Sequence, residues 1–196
     1  MEIEIHILNF KDIPIDKLLG YQYLSIKDKK SFDGISNIDV KKEKIVSSIF
    51  KNKYIGDYYL NEKGKPLNKD KYFNISHSYG LIAFVMDDVQ IGIDIEKIRN
   101  VKEDLIEYIS NKDEKKYIKD EKTFFEIWTN KEALLKAHGS GISSRMKDIP
   151  ALPINGIRNY ENKTFMNKTI KYQDYIITIC RETNKKYSLK IIDEIL

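Results

Sequence analysis

Residues 91–97 read IGIDIEK. Ile91, Ile93 and Ile95 alternate with Gly92, Asp94 and Glu96, the period-2 pattern of a β-strand with its isoleucines on a core face. Asp94 and Glu96 then share the opposite face. Successive same-face Cα atoms lie about 6.5 to 7 Å apart, so both carboxylates can lean toward one divalent cation. Hard cations such as Mg2+ take oxygen ligands, keep several waters and commonly use one or two carboxylates plus substrate phosphates. The same pattern also suits two ordinary acids on a solvent-facing strand edge. Gly92, on that face, leaves room for a substrate or serves close packing.

A second stretch, WTNKEALLKAHGSG, spans 128–141. On a helix Glu132 and Lys136 are i,i+4 neighbours on one face, with Trp128 one turn back. Lys131 points about 100° around from Glu132. The pair reads either as a helix-stabilising contact or as a third metal-binding acid with a lysine facing phosphate. A third stretch, FNISHS, puts His77 between Ser76 and Ser78 near a strand end. It reads as a structural histidine or as a phosphate holder helped by the hydroxyls. A Ser-His nucleophile pair is disfavoured, because adjacent strand side chains point to opposite faces. Lys27, Lys29 and Lys30 cluster before Phe32, Lys41 and Lys42 follow Asp39, and Lys65 sits in GKP. Such runs are usually solvated, yet lysine also binds phosphate as a point charge.

The elements that must position these residues follow from periodicity. EIEIHIL opens as a strand. Asp39 to Asn52 places Ile45, Val46, Ile49 and Phe50 at helical spacing, with Asp39 as N-cap. NEKGKPLNKD is a connection punctuated by Gly64 and Pro66. YFNISHS and LIAFVMDD read as strands, and Asp87–Asp88 as the turn of a hairpin into a strand over 89–95. Beyond Arg99, EDLIEYIS, DEKKYIKD and TFFEIWTNKEALLKAH read as helices, the last ended by Gly139 and Gly141. PALPINGI is a loop, KTIKYQDYIITICRE a strand pair, and YSLKIIDEIL a last strand or helix. Helices followed by antiparallel strands in both halves predict an α+β fold of two similar lobes, 1–100 and 101–196. No Gly/Ser-rich or Pro-rich linker separates them, so they should pack closely.

Composition narrows the function classes. A 196-residue chain that is 41% hydrophobic can build a sizeable core. Its 34 Lys plus Arg against 30 Asp plus Glu give a net charge of +4, which suits an anionic substrate or acidic partner without demanding nucleic acid. The single cysteine, Cys180, excludes an intrachain disulfide framework and a thiolate zinc cluster, and reads as a small buried hydrophobe. MEIEIHILNF lacks the basic region and apolar stretch of a signal peptide, and no run reaches transmembrane length. A cytoplasmic protein is expected. There is no G-x-x-x-x-G-K-[ST] loop, no G-x-G-x-x-G turn, no H-E-x-x-H and no recognisable RNA module.

Taken in order, GKP, FNISHS, IGIDIE and WTNKEALLKAHGSG resemble the 4'-phosphopantetheinyl transferase superfamily from Gly64 to Gly141, with a fainter reach back to Lys27. The length is similar to that of the long, single-chain, surfactin-synthetase-activating type, and Trp128, Lys131, Glu132 and Ala133 resemble its W-x-x-K-E-A kind. The resemblance implies a pseudodimer of two α+β lobes with the active site in the cleft between them. It implies Mg2+-dependent transfer of 4'-phosphopantetheine from coenzyme A to a serine of an apo acyl or peptidyl carrier protein, leaving 3',5'-ADP.

Carried over by motif, Asp94, Glu96 and Glu132 would hold the metal with the pyrophosphate. His77 would meet the 3'-phosphate, Lys65 and Pro66 the adenine end, and Ser76 the nucleotide. Lys27, Lys30 and Lys42 match basic positions near the 3'-phosphate, although the family often has arginine where Lys42 stands. Glu132 would act as general base, directly or through a metal-bound water. Lys136 would offset charge on the departing phosphate or protonate it. The implied partners are coenzyme A and a carrier protein, with no nucleic acid and no membrane. A monomer is expected, since two lobes already build one cleft. Two other classes compete: a catalytically degenerate carrier-binding module, and a different Mg2+ enzyme acting on another pyrophosphate. The intact acids and Lys136 argue against the first; FNISHS and W-x-x-K-E-A argue against the second.

Overall fold

The computed structural model describes residues 1–56, 58–60, 66–69, 71–141 and 146–196. The first half runs β1 (Glu2–Asn9), α1 (Ile15–Leu19), α2 (Ile26–Ser31), α3 (Ile38–Tyr54), β2 (Tyr59–Leu60), β3 (Pro66–Leu67), β4 (Tyr72–Ser78), β5 (Leu81–Asp87) and β6 (Ile91–Lys97). The second runs α4 (Glu103–Ile109), α5 (Lys112–Tyr117), α6 (Glu121–His138), a 3-10 turn (Met146–Asp148), β7 (Gly156–Tyr160), β8 (Lys163–Tyr172), β9 (Tyr175–Glu182) and β10 (Ser188–Asp193). The fold is α+β, as expected, and the closing segment is a strand.

Two four-stranded sheets carry the molecule, in the orders β10-β1-β5-β4 and β6-β9-β8-β7. The runs β1-α3-β4-β5 and β6-α6-β8-β9 share one connectivity, and in each the last strand lies between the other two. The expected hairpin across Asp87–Asp88 does not form. β5 is already paired on one edge with β1 and on the other with β4, so β6 has no edge to join there. It pairs with β9 instead, Asp94 opposite Thr178. Sheet membership also crosses residue 100 in both directions. β6 belongs to the sheet of the later strands, and β10 lies parallel to β1.

Burial orders the layers as helix, sheet, sheet, helix. Ile3, Ile5 and Ile7 of β1, Ala83 and Val85 of β5, Ile91, Ile93 and Ile95 of β6, and Ile177 and Ile179 of β9 fill the space between the sheets. The isoleucines of IGIDIEK thus face the core, as their spacing predicts. Ile45, Val46, Ile49 and Phe50 of α3 cover the outer face of the first sheet with Phe73, Ile82 and Phe84. Residues of α6, among them Leu134 and Ala137, cover the second with Phe165, Ile176 and Cys180. Cys180 is buried and unbonded to another cysteine, as read from the sequence. Asn37, not Asp39, caps α3: its side chain accepts from the Asp39 and Val40 N–H groups, which leaves Asp39 in the first turn, where its charge suits the helix dipole. Among the described residues no helix is long and apolar enough to cross a membrane.

Candidate functional site

The site begins where α6 lies on β6. A Cβ on Gly92 would stand 2.2 Å from the Ala133 carbonyl oxygen and 2.4 Å from the Ala137 nitrogen. The glycine therefore lets helix backbone touch strand backbone. Its space is filled by α6 and is not room for a substrate. This contact covers the acid face of β6, so Asp94 is buried at 4% exposure and Glu132 at 5%. The alternative of a solvent-facing edge falls for Asp94. Lys136, one turn beyond Glu132, reaches Asp94 with Nζ 2.6 Å from Oδ1.

The other edge of β6 meets β4 without a backbone ladder. Asn74, Ser76 and Ser78 alternate along β4, and their side-chain oxygens accept from Ile93 N (2.9 Å), Ile95 N (3.3 Å) and Lys97 N (3.2 Å). Three side chains thus stand in for a neighbouring strand and satisfy three strand-edge donors. The serines also donate onward, Ser76 Oγ to Asp94 Oδ1 and Ser78 Oγ to Glu96 Oε2, each at 3.0 Å. Lys136 Nζ completes the group 3.0 Å from Ser76 Oγ. His77 does not share this face. It is exposed, with Nδ1 3.5 Å from Glu43 Oε1. A single phosphate held by His77 and both flanking hydroxyls is therefore not what the structure builds.

The electrostatics of the group are unbalanced. Burial pushes the Glu132 carboxyl up to about 7, the Asp94 and Glu96 charges add to this, and Lys136 opposes it. Burial likewise pushes the Asp94 carboxyl up against the opposing pull of Lys136. Asp94 Oδ2 and Glu132 Oε1 are buried without a hydrogen-bond partner. Buried carboxylate oxygens left unpaired are costly, and a hard divalent cation would satisfy them. The donor set of Asp94, Glu96 and Glu132 fits Mg2+ in kind. Among the described residues, however, no three acid, histidine or cysteine side chains already stand grouped as a ligand set. Cationic side chains hold the acids instead: Lys136 on Asp94, and Arg99, whose Nη1 lies 2.8 Å from Glu96 Oε2.

Arg99 was not singled out from the sequence, nor were Asn74 and Glu43. Its guanidinium sits 4.7 Å from the Phe125 ring centroid and 5.2 Å from that of Tyr79. The period-2 spacing of Asn74, Ser76 and Ser78 was a signal that could have found the β4 side of the site. Nothing local to Glu43 points to His77.

The remaining candidates are scattered. Lys42 donates to the Lys11 carbonyl at 2.8 Å and lines a cavity of about 320 Å3 with Glu43, Tyr79 and Lys97. Lys27 is exposed beside a separate cavity of about 580 Å3, and Lys30 is exposed in the last turn of α2. Pro66 opens β3, opposite Leu60; Lys65 lies outside the described residues. Lys131 turns away from the site. It is fully buried, 2.7 Å from Glu114 Oε2, and donates to the Met146 and Ile149 carbonyls, tying α5 and the 3-10 turn to α6. Trp128 packs beside Phe124 on the core side of the helix.

Residues 90–180 match the family model ACPS, the 4'-phosphopantetheinyl transferase superfamily. They contain β6, α6 and most of β9, and so Asp94, Glu96, Glu132 and Lys136 but not the β4 side of the site. The match covers just under half of the chain, 91 of 196 residues. The chain is also similar to named 4'-phosphopantetheinyl transferases. It is 29% identical over 174 residues to 4'-phosphopantetheinyl transferase gsp of Aneurinibacillus migulanus, which covers 83% of this chain and 69% of that protein. It is 33% identical over 113 residues to 4'-phosphopantetheinyl transferase Sfp of Bacillus subtilis (strain 168), covering 50% of each. The match to 4'-phosphopantetheinyl transferase psf-1 of Bacillus pumilus is 33% over 97 residues, 45% of this chain and 42% of that protein. The chain thus spans about half the length of these last two.

Proposed function

We propose that this protein transfers the 4'-phosphopantetheine group of coenzyme A to a serine of an apo acyl or peptidyl carrier protein, with Mg2+, releasing 3',5'-ADP. The observation that carries this reading is the group of buried Asp94 and Ser76 with half-buried Lys136, and Glu132 beside it, where two carboxylate oxygens lack a partner. The match to this family model supports the chemistry. The serine oxygen forms a bond to the pantetheine-side phosphorus, and the pyrophosphate P–O bond breaks toward 3',5'-ADP. Such transfer asks mainly for positioning and charge neutralisation.

Asp94, Glu96 and Glu132 would hold the metal. When bound, Mg2+ supplies charge neutralisation at the pyrophosphate. Glu132 takes the serine proton, directly or through a water. Lys136 offsets negative charge on the departing phosphate or protonates it. Ser76 orients Asp94 and stands at the nucleotide. His77 is assigned to the 3'-phosphate with Lys27, Lys30 and Lys42, and Lys65 and Pro66 to the adenine end.

The same reading takes the chain as a W-x-x-K-E-A member, a cytoplasmic monomer whose lobes, 1–100 and 101–196, flank the cleft. Neither nucleic acid nor membrane is a partner in it. The test is incubation with coenzyme A, Mg2+ and several apo carrier proteins, followed by intact mass of the carrier. A gain of one phosphopantetheine is expected. No gain on any carrier would overturn the reading, and carrier binding without gain would make the protein a binding module.

A further inference from the structure

Beneath α6 runs a row of polar side chains that the proposed reaction does not use. Thr178 of β9 stands opposite Asp94 of β6 and opposite Thr169 of β8, so Asp94, Thr178 and Thr169 form one line across three strands. Thr178 Oγ1 lies 2.8 Å from Thr129 Oγ1 on α6, 2.8 Å from Thr169 Oγ1 and 3.3 Å from Asn130 Nδ2. Asn130 Nδ2 also donates to Thr169 Oγ1 and the Glu126 carbonyl, both at 2.8 Å. Its Oδ1 accepts from Arg158 Nη2 and Asn167 Nδ2, both at 3.0 Å. Thr129, Asn130 and Thr178 have no exposed surface.

Much of the surrounding contact between α6 and the sheet is apolar, through Ala133, Leu134, Ala137, Ile176 and Cys180. Apolar burial has no direction, and the alanines offer little side chain to interlock, so it selects the register of the helix less sharply than directed bonds do. Hydrogen bonds weaken steeply off their geometry and fix both motions. Burying these polar groups would be wasteful if stability alone were at stake, since an apolar set of similar shape packs as well. Asn130 precedes Lys136 by six residues, about 9 Å along the helix axis, so a shift at the row reaches Lys136 undiminished.

We propose that Thr178 and Asn130 are positioning residues. They fix the register of α6 on the second sheet and thereby set Lys136 and Glu132 against Asp94. The geometry stands apart from the reaction; only the rate measurement below rests on the proposed transfer activity.

Thr178→Val keeps the side-chain shape and removes the hydroxyl. Its neighbours keep other acceptors, Thr129 the Phe125 carbonyl and Asn130 the Glu126 carbonyl, so the variant should fold. Thr178→Ser keeps the hydroxyl and serves as the rescue. Lys136 reactivity is read in the full chain by trace acetylation with acetic anhydride and peptide mass spectrometry. Acetylation of Lys136 should rise several-fold in Thr178→Val and return to the wild-type level in Thr178→Ser, with other lysines unchanged. In the carrier assay kcat should fall about ten- to a hundredfold in Thr178→Val with KM for coenzyme A nearly constant. Wild-type Lys136 labelling in Thr178→Val overturns the proposal, whatever the rate does. A wild-type protein that transfers nothing overturns the activity reading, and the labelling still decides the positioning role.

Discussion

Ser76 Oγ lies 3.0 Å from Asp94 Oδ1 and accepts from the next residue's N–H, Ile95, at 3.3 Å. One hydroxyl thus joins two needs. It occupies a strand edge that has no neighbouring backbone, and it holds the buried carboxylate toward Lys136. The junction between the two sheets and the candidate metal site are therefore one construction. Asp94 is buried because β4 and α6 close over β6, and this enclosure is what would make a cation useful there.

Asp94→Asn should cut transfer by at least about 100-fold, because it removes the charge that Lys136 pairs with and that the proposed divalent cation would need. The amide still accepts from Ser76, so the fold should survive. Melting curves check this separately from rate. Mg2+ with coenzyme A should raise the melting temperature of the wild type. The same addition should leave Asp94→Asn unmoved, and an equal rise in the variant would displace the cation from Asp94.

Gly92→Ala should destabilise the protein by about 1–3 kcal/mol or more, since overpacking at this point meets backbone atoms that cannot rotate away. The added methyl would sit 2.2 Å from the Ala133 oxygen. The urea midpoint reads this directly. Transfer should fall as well, because α6 must lift and carry Glu132 and Lys136 with it. An alanine variant with unchanged midpoint and unchanged rate would show that helix and strand part easily.

Period-2 and helical spacing disclosed most of these elements, and even the inward isoleucines of β6, because side-chain alternation is a local property of the chain. Pairing is not local. Nothing in residues 87–91 tells that β5 is already flanked on both edges, so a short connection reads as a hairpin when it is a step between sheets. The acid pair was legible as chemistry, yet its burial was not, since that depends on α6 arriving from forty residues downstream. Lys131 shows the converse. Helical spacing already turned it about 100° away from its neighbour Glu132, and it pairs with Glu114 on the far side.

His77 is exposed, with a carboxylate, Glu43, 3.5 Å from its ring nitrogen, so replacing it should leave stability within about 0.5 kcal/mol. If it meets the 3'-phosphate, His77→Ala should raise KM for coenzyme A and change KM for 3'-dephospho-coenzyme A little. Steady-state transfer with the two donors measures the ratio. Equal losses for both would remove His77 from the 3'-phosphate.

Acid should loosen the closing strand through Glu194. Its carboxylate takes His6 Nδ1 at 2.8 Å and Lys53 Nζ at 2.6 Å, together with the Tyr54 hydroxyl, and its backbone N–H donates to the Ile7 carbonyl. Burial pushes this carboxyl up, but the hydrogen bonds from Lys53, Tyr54 and His6 outweigh it, so it sits below the ordinary 4.5. A carboxyl lowered in the folded state contributes stability that is fully present above its unfolded value. That contribution is lost as the pH falls through the folded one. Glu194→Gln should therefore cost about 1.5–3 kcal/mol near neutral pH, the range for hydrogen bonds to a charged group. It should then lose less than the wild type as the pH is lowered below 4.5, so the two stability curves converge in acid. Urea midpoints taken across that range test the sign. Parallel curves, with the gap unchanged in acid, would mean that the Glu194 charge does not hold β10 against β1 and α3.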